Sequence, residues 1–194
     1  MRKSIHLVLI GLLAAGLFSL SISAQESREQ REQPEKLLDI SGVKPGMIVG
    51  EAGAGDGYLT FFLSKRVGAS GRVYANDIDS TSLQRLNERG RREGVANITP
   101  VLGKVDDPLF PVNNLDLVIM IWAFHDFTER VAWLKNVKKY LKEDSGLFIF
   151  DGQAAHFSKE IAESDAEQAG FRLARCENVH GKIWLYELRV KKGA

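Results

Sequence analysis

The chain has 194 residues, and its 26 basic and 25 acidic side chains give a formal net charge of +1, so no excess charge favours nucleic acid or an anionic membrane. A single cysteine, Cys176, excludes an internal disulfide and with it a fold built on disulfides. The length suits one domain with one hydrophobic core.

The first 24 residues have the three parts of a secretory signal. A basic start precedes an apolar run over residues 7–20, and small residues end the segment at Ala24. We therefore expect cleavage after Ala24 and export to the periplasm or the medium, with no membrane attachment afterwards. The alternative is an uncleaved anchor, because residues 5–24 are just long enough to cross a hydrocarbon core of about 30 Å.

Residues 25–45 are predicted to form a polar leader ending in a short helix, and residues 46–194 to form one domain. In that domain short apolar runs alternate with amphipathic stretches. The predicted strands are 47–52, 72–76, 98–102, 115–121, 146–150, 171–176 and 183–190, and the predicted helices are 58–67, 79–94, 129–141 and 160–169. This alternation predicts a doubly wound α/β sheet with helices on both faces. A turn at residues 178–181 makes the last two strands antiparallel.

A glycine-rich segment joins the first predicted strand to the first helix. Gly53, Gly55 and Gly57 allow a sharp turn and let a ligand touch bare backbone, at the strand end where open α/β sheets bind nucleotide-like ligands. The dinucleotide fingerprint G-x-G-x-x-G is excluded, because Tyr58 occupies the position of its last glycine, and no phosphate-loop lysine follows. The pattern favours a ligand without pyrophosphate; the alternative is an ordinary tight turn.

Asp77 ends the second predicted strand, 22 residues after Gly55. An acid at about that distance is placed to accept hydrogen bonds from the hydroxyls of a ribose. The alternative is that Asp77 only caps the next helix, but Asp79 is better placed to do so. We therefore predict a ribose contact for Asp77.

These segments resemble the class I S-adenosylmethionine-dependent methyltransferases. The similarity lies in residues 51–57, in the strand running to Asp79 and in the C-terminal hairpin, and it covers about residues 37–190. It implies a Rossmann-like, doubly wound, seven-stranded sheet in the order 3-2-1-4-5-7-6 with the seventh strand antiparallel. It also implies S-adenosylmethionine as the cofactor.

The resemblance implies a role for each residue at the cofactor. Glu51 would lie near the methionine end, Gly53 and Gly55 would pass beneath the ligand, Asp77 would bind the ribose, and Ile78 would pack against the adenine.

The family usually places an acid after the third strand, at the adenine amino group. Here Lys104 occupies the position directly after the glycine, so Asp106 or Asp107 is the candidate for this contact.

The loop after the fourth strand, residues 122–127, lies where the family brings the methyl group to its acceptor. Trp122 is predicted to contact the cofactor, and His125 with Asp126 resembles a pair found in small, often exported methyltransferase-like proteins. His125 could accept an acceptor proton near neutral pH. His156, after the fifth strand, could line the same cleft. For both histidines the alternative is a packing or surface role.

No spacing of histidines, cysteines or carboxylates predicts a metal site. The predicted function is S-adenosylmethionine-dependent methyl transfer to an unidentified acceptor, either a small molecule or a group presented by a partner. One alternative is an exported protein that binds S-adenosylmethionine or a nucleoside without turnover. A nicotinamide-dependent oxidoreductase is disfavoured by Tyr58 and by the terminal hairpin.

Overall fold

The computed structural model describes residues 28–154 and 157–191. The predicted cleavage site at Ala24 and the candidate His156 lie outside these residues. The chain divides into two units, residues 1–34 and 35–194. In the described part of the first unit, residues 28–32 are helical and Arg28 donates to Glu32 at 3.1 Å. No helix within 28–154 or 157–191 has both the length and the apolar character needed to cross a bilayer.

Across residues 34–154 and 157–191, five α-helices and seven strands form the fold. The helices are α1 (Pro34–Ser41), α2 (Tyr58–Val67), α3 (Ser80–Arg92), α4 (Arg130–Val137) and α5 (Lys159–Gln168). The strands are β1 (Ile48–Ala52), β2 (Arg72–Asp77), β3 (Ile98–Leu102), β4 (Leu115–Ile121), β5 (Leu141–Asp151), β6 (Phe171–His180) and β7 (Ile183–Val190). Short 3-10 turns cover Phe124–Asp126 and Lys138–Tyr140.

All seven strands form one sheet in the order β3-β2-β1-β4-β5-β7-β6. The first five are parallel where they pair, and β7 is antiparallel to both β5 and β6. The predicted fold class and strand order are therefore confirmed.

The central strand β4 is covered on both faces. Leu117 and Ile119 point into a cluster with buried residues of α1 and α2, whereas Val118 and Met120 point into a cluster with buried residues of α4 and α5. Successive side chains of a strand alternate between the faces of a sheet, which is why β4 is apolar from Leu117 to Ile121. The strand ends thus remain as the open edge for a ligand.

Several predicted boundaries are wrong. The helix predicted over 129–141 ends at Val137, and β5 begins at Leu141 rather than at residue 146. Leu141 pairs with Leu115 of β4, and the Tyr140 hydroxyl bonds to Asp107, so tertiary contacts override the helical period. Strand β6 runs on to His180, and the hairpin turn shortens accordingly to Gly181 and Lys182.

Candidate active site

A cavity of about 360 Å³ opens at the carboxyl ends of β1, β2 and β4. Ligands of open α/β sheets bind at this edge, in the crevice where the strand order reverses. The residues that line it are Gly53, Asn76, Asp77, Ile78, Lys104, Val105, Trp122, Ala123, Asp126, Phe127, Thr128 and Trp133. We call this cavity the cofactor cleft. Five residues predicted at the cofactor or the acceptor are therefore brought together: Gly53, Asp77, Ile78, Trp122 and Asp126.

Gly53 allows the loops after β1 and β4 to meet. Its φ of 70° lies in the left-handed region, which glycine adopts without steric cost. A Cβ on Gly53 would come within 2.4 Å of the Cβ of Ala123, so no larger side chain fits between the two loops. Close contact at this point makes Gly53 and Ala123 one continuous floor of the cofactor cleft.

Asp77 fixes the glycine loop from the neighbouring strand. Its Oδ2 accepts a hydrogen bond from the backbone N–H of Gly55 at 2.8 Å, and its Oδ1 accepts one from the N–H of Asp79 at 2.9 Å. The N-cap of α3 is Asp79, which accepts from the N–H groups of Thr81 and Ser82. Capping therefore does not account for Asp77, and its carboxylate stands in the cleft wall beside Ile78, whose side chain is 60% exposed.

Glu51 lies at the end of β1 but is not one of the residues lining the cofactor cleft. The side chain is buried and makes a 2.5 Å hydrogen bond with the hydroxyl of Thr60 on α2. Burial disfavours the charged carboxylate and raises the pKa of Glu51 to about 8. Glu51 thus ties β1 to α2, and its contact with the methionine end of a cofactor stays a prediction.

The loop after β3 turns a different pair of residues toward the cleft from the pair predicted. Lys104 and Val105 line it. Asp107 instead accepts hydrogen bonds from Lys139 Nζ at 2.6 Å and from the Tyr140 hydroxyl at 2.7 Å, and Asp106 is exposed. Burial opposes ionisation of Asp107, but these bonds outweigh it and lower the pKa of Asp107. The adenine contact of Asp106 or Asp107 stays a prediction.

The loop after β4 positions His125 against an acid that the sequence analysis missed. Nδ1 of His125 lies 2.8 Å from Oδ1 of Asp151, whose side chain is 1% exposed. The Asp151 carboxylate also accepts from the backbone N–H groups of His125 at 3.0 Å and Gly152 at 2.8 Å. On the other side of the ring, Nε2 lies 3.4 Å from Oδ2 of Asp126. A signal did exist, because Asp151, like Asp77, is an acid at the carboxyl end of a parallel strand.

A second cavity of about 500 Å³ adjoins this loop, at the ends of β5 and β7. His125, Asp151, Lys182 and Trp184 line it, and Trp122 lines both this cavity and the cofactor cleft. Trp122 adopts a φ of 51°, an unusual value for a bulky residue that marks a held conformation. Its N–H donates to the carbonyl of Phe150 at 2.9 Å, which anchors it to β5.

Comparison with known proteins identifies the family. The methyltransferase domain family matches residues 49–144. The chain is 31% identical over 127 residues to a ubiquinone/menaquinone biosynthesis C-methyltransferase UbiE from Escherichia fergusonii, and 28% identical over 115 residues to the UbiE of Hydrogenovibrio crunogenus. These matches cover 65% and 59% of this chain, and 49% and 45% of the relatives. The chain thus spans about half the length of these relatives.

A crystal structure of an S-adenosylmethionine-dependent methyltransferase from Aquifex aeolicus superimposes with a TM-score of 0.77 at 27% identity, covering 84% of this chain and 92% of that one. The match therefore extends over nearly all of a methyltransferase. Residues 49–144 belong to the methyltransferase domain family, and the fold is that of the class I S-adenosylmethionine-dependent methyltransferases. The predicted cofactor, S-adenosylmethionine, is confirmed with the family.

The walls of the cofactor cleft suit the cofactor of a class I methyltransferase. Asp77 presents carboxylate oxygens that can accept further hydrogen bonds from ribose hydroxyls, since each oxygen has two lone pairs and one backbone donor. Ile78 gives an exposed apolar surface for a base, and the bare backbone at Gly53 permits close approach of a ligand. Within residues 28–154 and 157–191 no cluster of side chains could hold a metal ion.

Proposed function

We propose that the protein transfers the methyl group of S-adenosylmethionine to an acceptor, with His125 as the general base. The observation that carries this proposal is the 2.8 Å contact between His125 Nδ1 and the buried carboxylate of Asp151, in the second cavity, which shares Trp122 with the cofactor cleft. A buried carboxylate cannot donate a proton when ionised, so it holds the proton on Nδ1 and leaves Nε2 as the basic atom.

The residues of the chain divide the work between binding and proton transfer. Asp77 and the backbone of the glycine loop would hold the ribose and the methionine part, and Ile78 would cover the adenine. The bound cofactor supplies an activated methyl group, so the protein needs chiefly to position the acceptor and to remove its proton. Asp151 orients the His125 ring, and Asp126 lies 3.4 Å from the atom that receives the proton.

The acceptor atom is proposed to be either an oxygen or a carbon. An acceptor that loses a proton to His125 fits an oxygen nucleophile. A carbon nucleophile is the second candidate, because the relatives named above are C-methyltransferases. The acceptor itself is proposed to be a small molecule or a group presented by a partner. We also propose, from the signal-like first 24 residues alone, that the protein acts outside the cytoplasm.

Two measurements on the protein without residues 1–24 test the proposal. Calorimetry with S-adenosylhomocysteine should show binding, and incubation of S-adenosylmethionine with a panel of hydroxyl and carbon acceptors should release S-adenosylhomocysteine. Mass spectrometry of the product then identifies the methylated atom. Binding without turnover on any acceptor would support the alternative of a cofactor-binding protein, and absence of binding would refute both.

A further inference from the structure

The second cavity, which Trp122 shares with the cofactor cleft, has the walls of a binding site for a flat, partly polar molecule. Trp122 and Trp184 both line it and both are half-buried, so each indole keeps an exposed surface. Indole rings bind other aromatic rings through large apolar faces and through favoured stacked or edge-to-face arrangements. Two tryptophans at one cavity thus favour an aromatic occupant over an aliphatic one.

The polar groups of this cavity are set close to the tryptophans by the sheet. Trp184 of β7 is the register partner of Asp151 in β5, so the two side chains stand on the same face of the sheet as direct neighbours. Since Asp151 holds the His125 ring, Trp184 and the imidazole share one wall. The hairpin turn brings exposed Lys182 to the rim, where an ammonium group favours an anionic ligand.

Room for the Trp122 ring depends on a glycine. A Cβ on Gly152 would lie 2.9 Å from Cζ3 of Trp122, closer than real carbon contacts allow. Gly152 therefore lets the indole stand over the end of β5, between the two cavities. In one short turn, His125 lines the second cavity and Asp126 lines the cofactor cleft, and Nε2 of His125 lies 3.4 Å from Oδ2 of Asp126.

We propose that the second cavity is the acceptor site and that the acceptor is a small aromatic molecule carrying an ionisable hydroxyl group. This inference rests on the proposed methyl transfer. The aromatic ring packs against Trp184 and Trp122, the hydroxyl faces Nε2 of His125, and Lys182 at the rim favours the negative charge that the oxygen gains as it loses its proton. An aliphatic amine is disfavoured, because Lys182 repels its charge and the indoles gain little from a small aliphatic chain.

The transfer step balances without any further reagent. The hydroxyl proton passes to Nε2 of His125, and the oxygen electron pair forms the new O–CH₃ bond. The bond between the methyl carbon and the sulfonium breaks, and its electron pair stays on sulfur as a neutral thioether. The imidazolium then lies between Asp151 and Asp126 and returns its proton to water.

The test uses 4-nitrophenol as the probe, with nitrobenzene as the matched molecule that lacks only the hydroxyl. Binding is measured by equilibrium dialysis in saturating S-adenosylhomocysteine, with calorimetry of S-adenosylhomocysteine on every variant. Trp184→Ala should weaken 4-nitrophenol about tenfold, and Trp184→Phe should keep its affinity within about threefold because it retains an aromatic ring. Lys182→Met should weaken the binding of ionised 4-nitrophenol. Lys65→Met, which changes an exposed lysine of α2, is the control and should leave this binding unchanged.

The outcomes separate this inference from the methyl-transfer proposal. All four variants should bind S-adenosylhomocysteine as the parent does, and nitrobenzene should bind more weakly than 4-nitrophenol. If S-adenosylhomocysteine binds but 4-nitrophenol shows no saturable binding, or if Trp184→Ala and Lys182→Met leave it unchanged, the acceptor site is refuted while methyl transfer stands. If the parent does not bind S-adenosylhomocysteine, methyl transfer itself is refuted.

Discussion

Nδ1 of His125 lies 2.8 Å from Oδ1 of Asp151, which comes 26 positions later in the chain. The contact joins the loop after β4 to the end of β5, the neighbouring parallel strand. Because the Asp151 carboxylate also accepts the backbone N–H of His125, both the ring and its backbone are held by one buried group. The histidine is therefore positioned before any acceptor arrives.

Removal of the base should affect turnover and spare cofactor binding. His125→Ala should lower kcat by about 10²–10⁴-fold, the usual contribution of a general base. The affinity for S-adenosylhomocysteine should stay within about 1 kcal/mol of the parent. Asp151→Asn should also lower kcat, because an amide can present N–H to Nδ1 and so move the imidazole proton to Nε2.

The double variant is the control for this pair. Groups that act as a unit give non-additive losses, so His125→Ala with Asp151→Asn should cost little more activity than His125→Ala alone. Steady-state kinetics on one acceptor measure all three variants. Additive losses, or unchanged turnover in His125→Ala, would assign the pair a structural role.

Loss of the Asp77 carboxylate should weaken binding of the cofactor. Asp77→Ala removes charge-assisted acceptors for two ribose hydroxyls. Binding of S-adenosylhomocysteine should therefore become less favourable by about 2–4 kcal/mol. Asp79→Ala is the matched control, because it removes the N-cap of α3 and should cost about 1 kcal/mol of folding stability with little change in binding. Calorimetry and thermal unfolding on both variants decide this; equal affinity in Asp77→Ala would contradict the ribose assignment.

Glu51 should make the folded protein less stable as the pH rises. Its pKa is about 8 in the folded protein against an ordinary 4.5, so between these values the unfolded chain has lost a proton that the folded protein keeps. The free energy of unfolding should therefore fall from pH 4.5 to 8, with a slope of on the order of 1 kcal/mol per pH unit, and no further above pH 8.

The variant Glu51→Gln isolates this effect. Its amide can accept the same hydrogen bond from Thr60 without a titratable proton. Urea unfolding from pH 5 to pH 8 should show a smaller loss of stability in Glu51→Gln than in the parent. The free energy of unfolding of the variant should therefore rise relative to that of the parent as the pH rises. Parallel curves for the two proteins would exclude Glu51 as the source.

Gly53 should tolerate no larger side chain. Gly53→Ala places a Cβ 2.4 Å from that of Ala123 and forces alanine to a φ of 70°, so we expect a loss of about 2–4 kcal/mol in folding stability. The double variant Gly53→Ala with Ala123→Gly relieves the clash and leaves the strained backbone, so it should recover part of the loss. Chemical denaturation measures both, and a stable Gly53→Ala would show that the two loops can separate.

The N-terminal segment is predicted to be cleaved after Ala24. Mass spectrometry of the protein isolated from its native host should then find Gln25 at the N-terminus, either free or cyclised. A chain that retains Met1 in the membrane fraction would establish the anchor instead.

Sequence by itself determined the strand–helix alternation, the glycine loop, the acid Asp77 at the end of β2 and the helix cap at Asp79. These features depend on local chemistry: backbone freedom at glycine, apolar period along a strand, and a carboxylate within reach of nearby N–H groups. The strand order came from the family resemblance rather than from any local pattern.

Tertiary structure alone decided which distant side chains meet. Asp151 and His125 come together only because β5 lies beside β4 in the sheet, and Asp107 turns from the cleft because Lys139 and Tyr140 pack against its loop. Leu141 leaves the helical pattern for the same reason. Its pairing with Leu115 of β4 outweighs the helical spacing of the apolar residues before it. Local sequence encodes which face of an element is buried, but the partner buried against it is selected by the packing of the whole sheet.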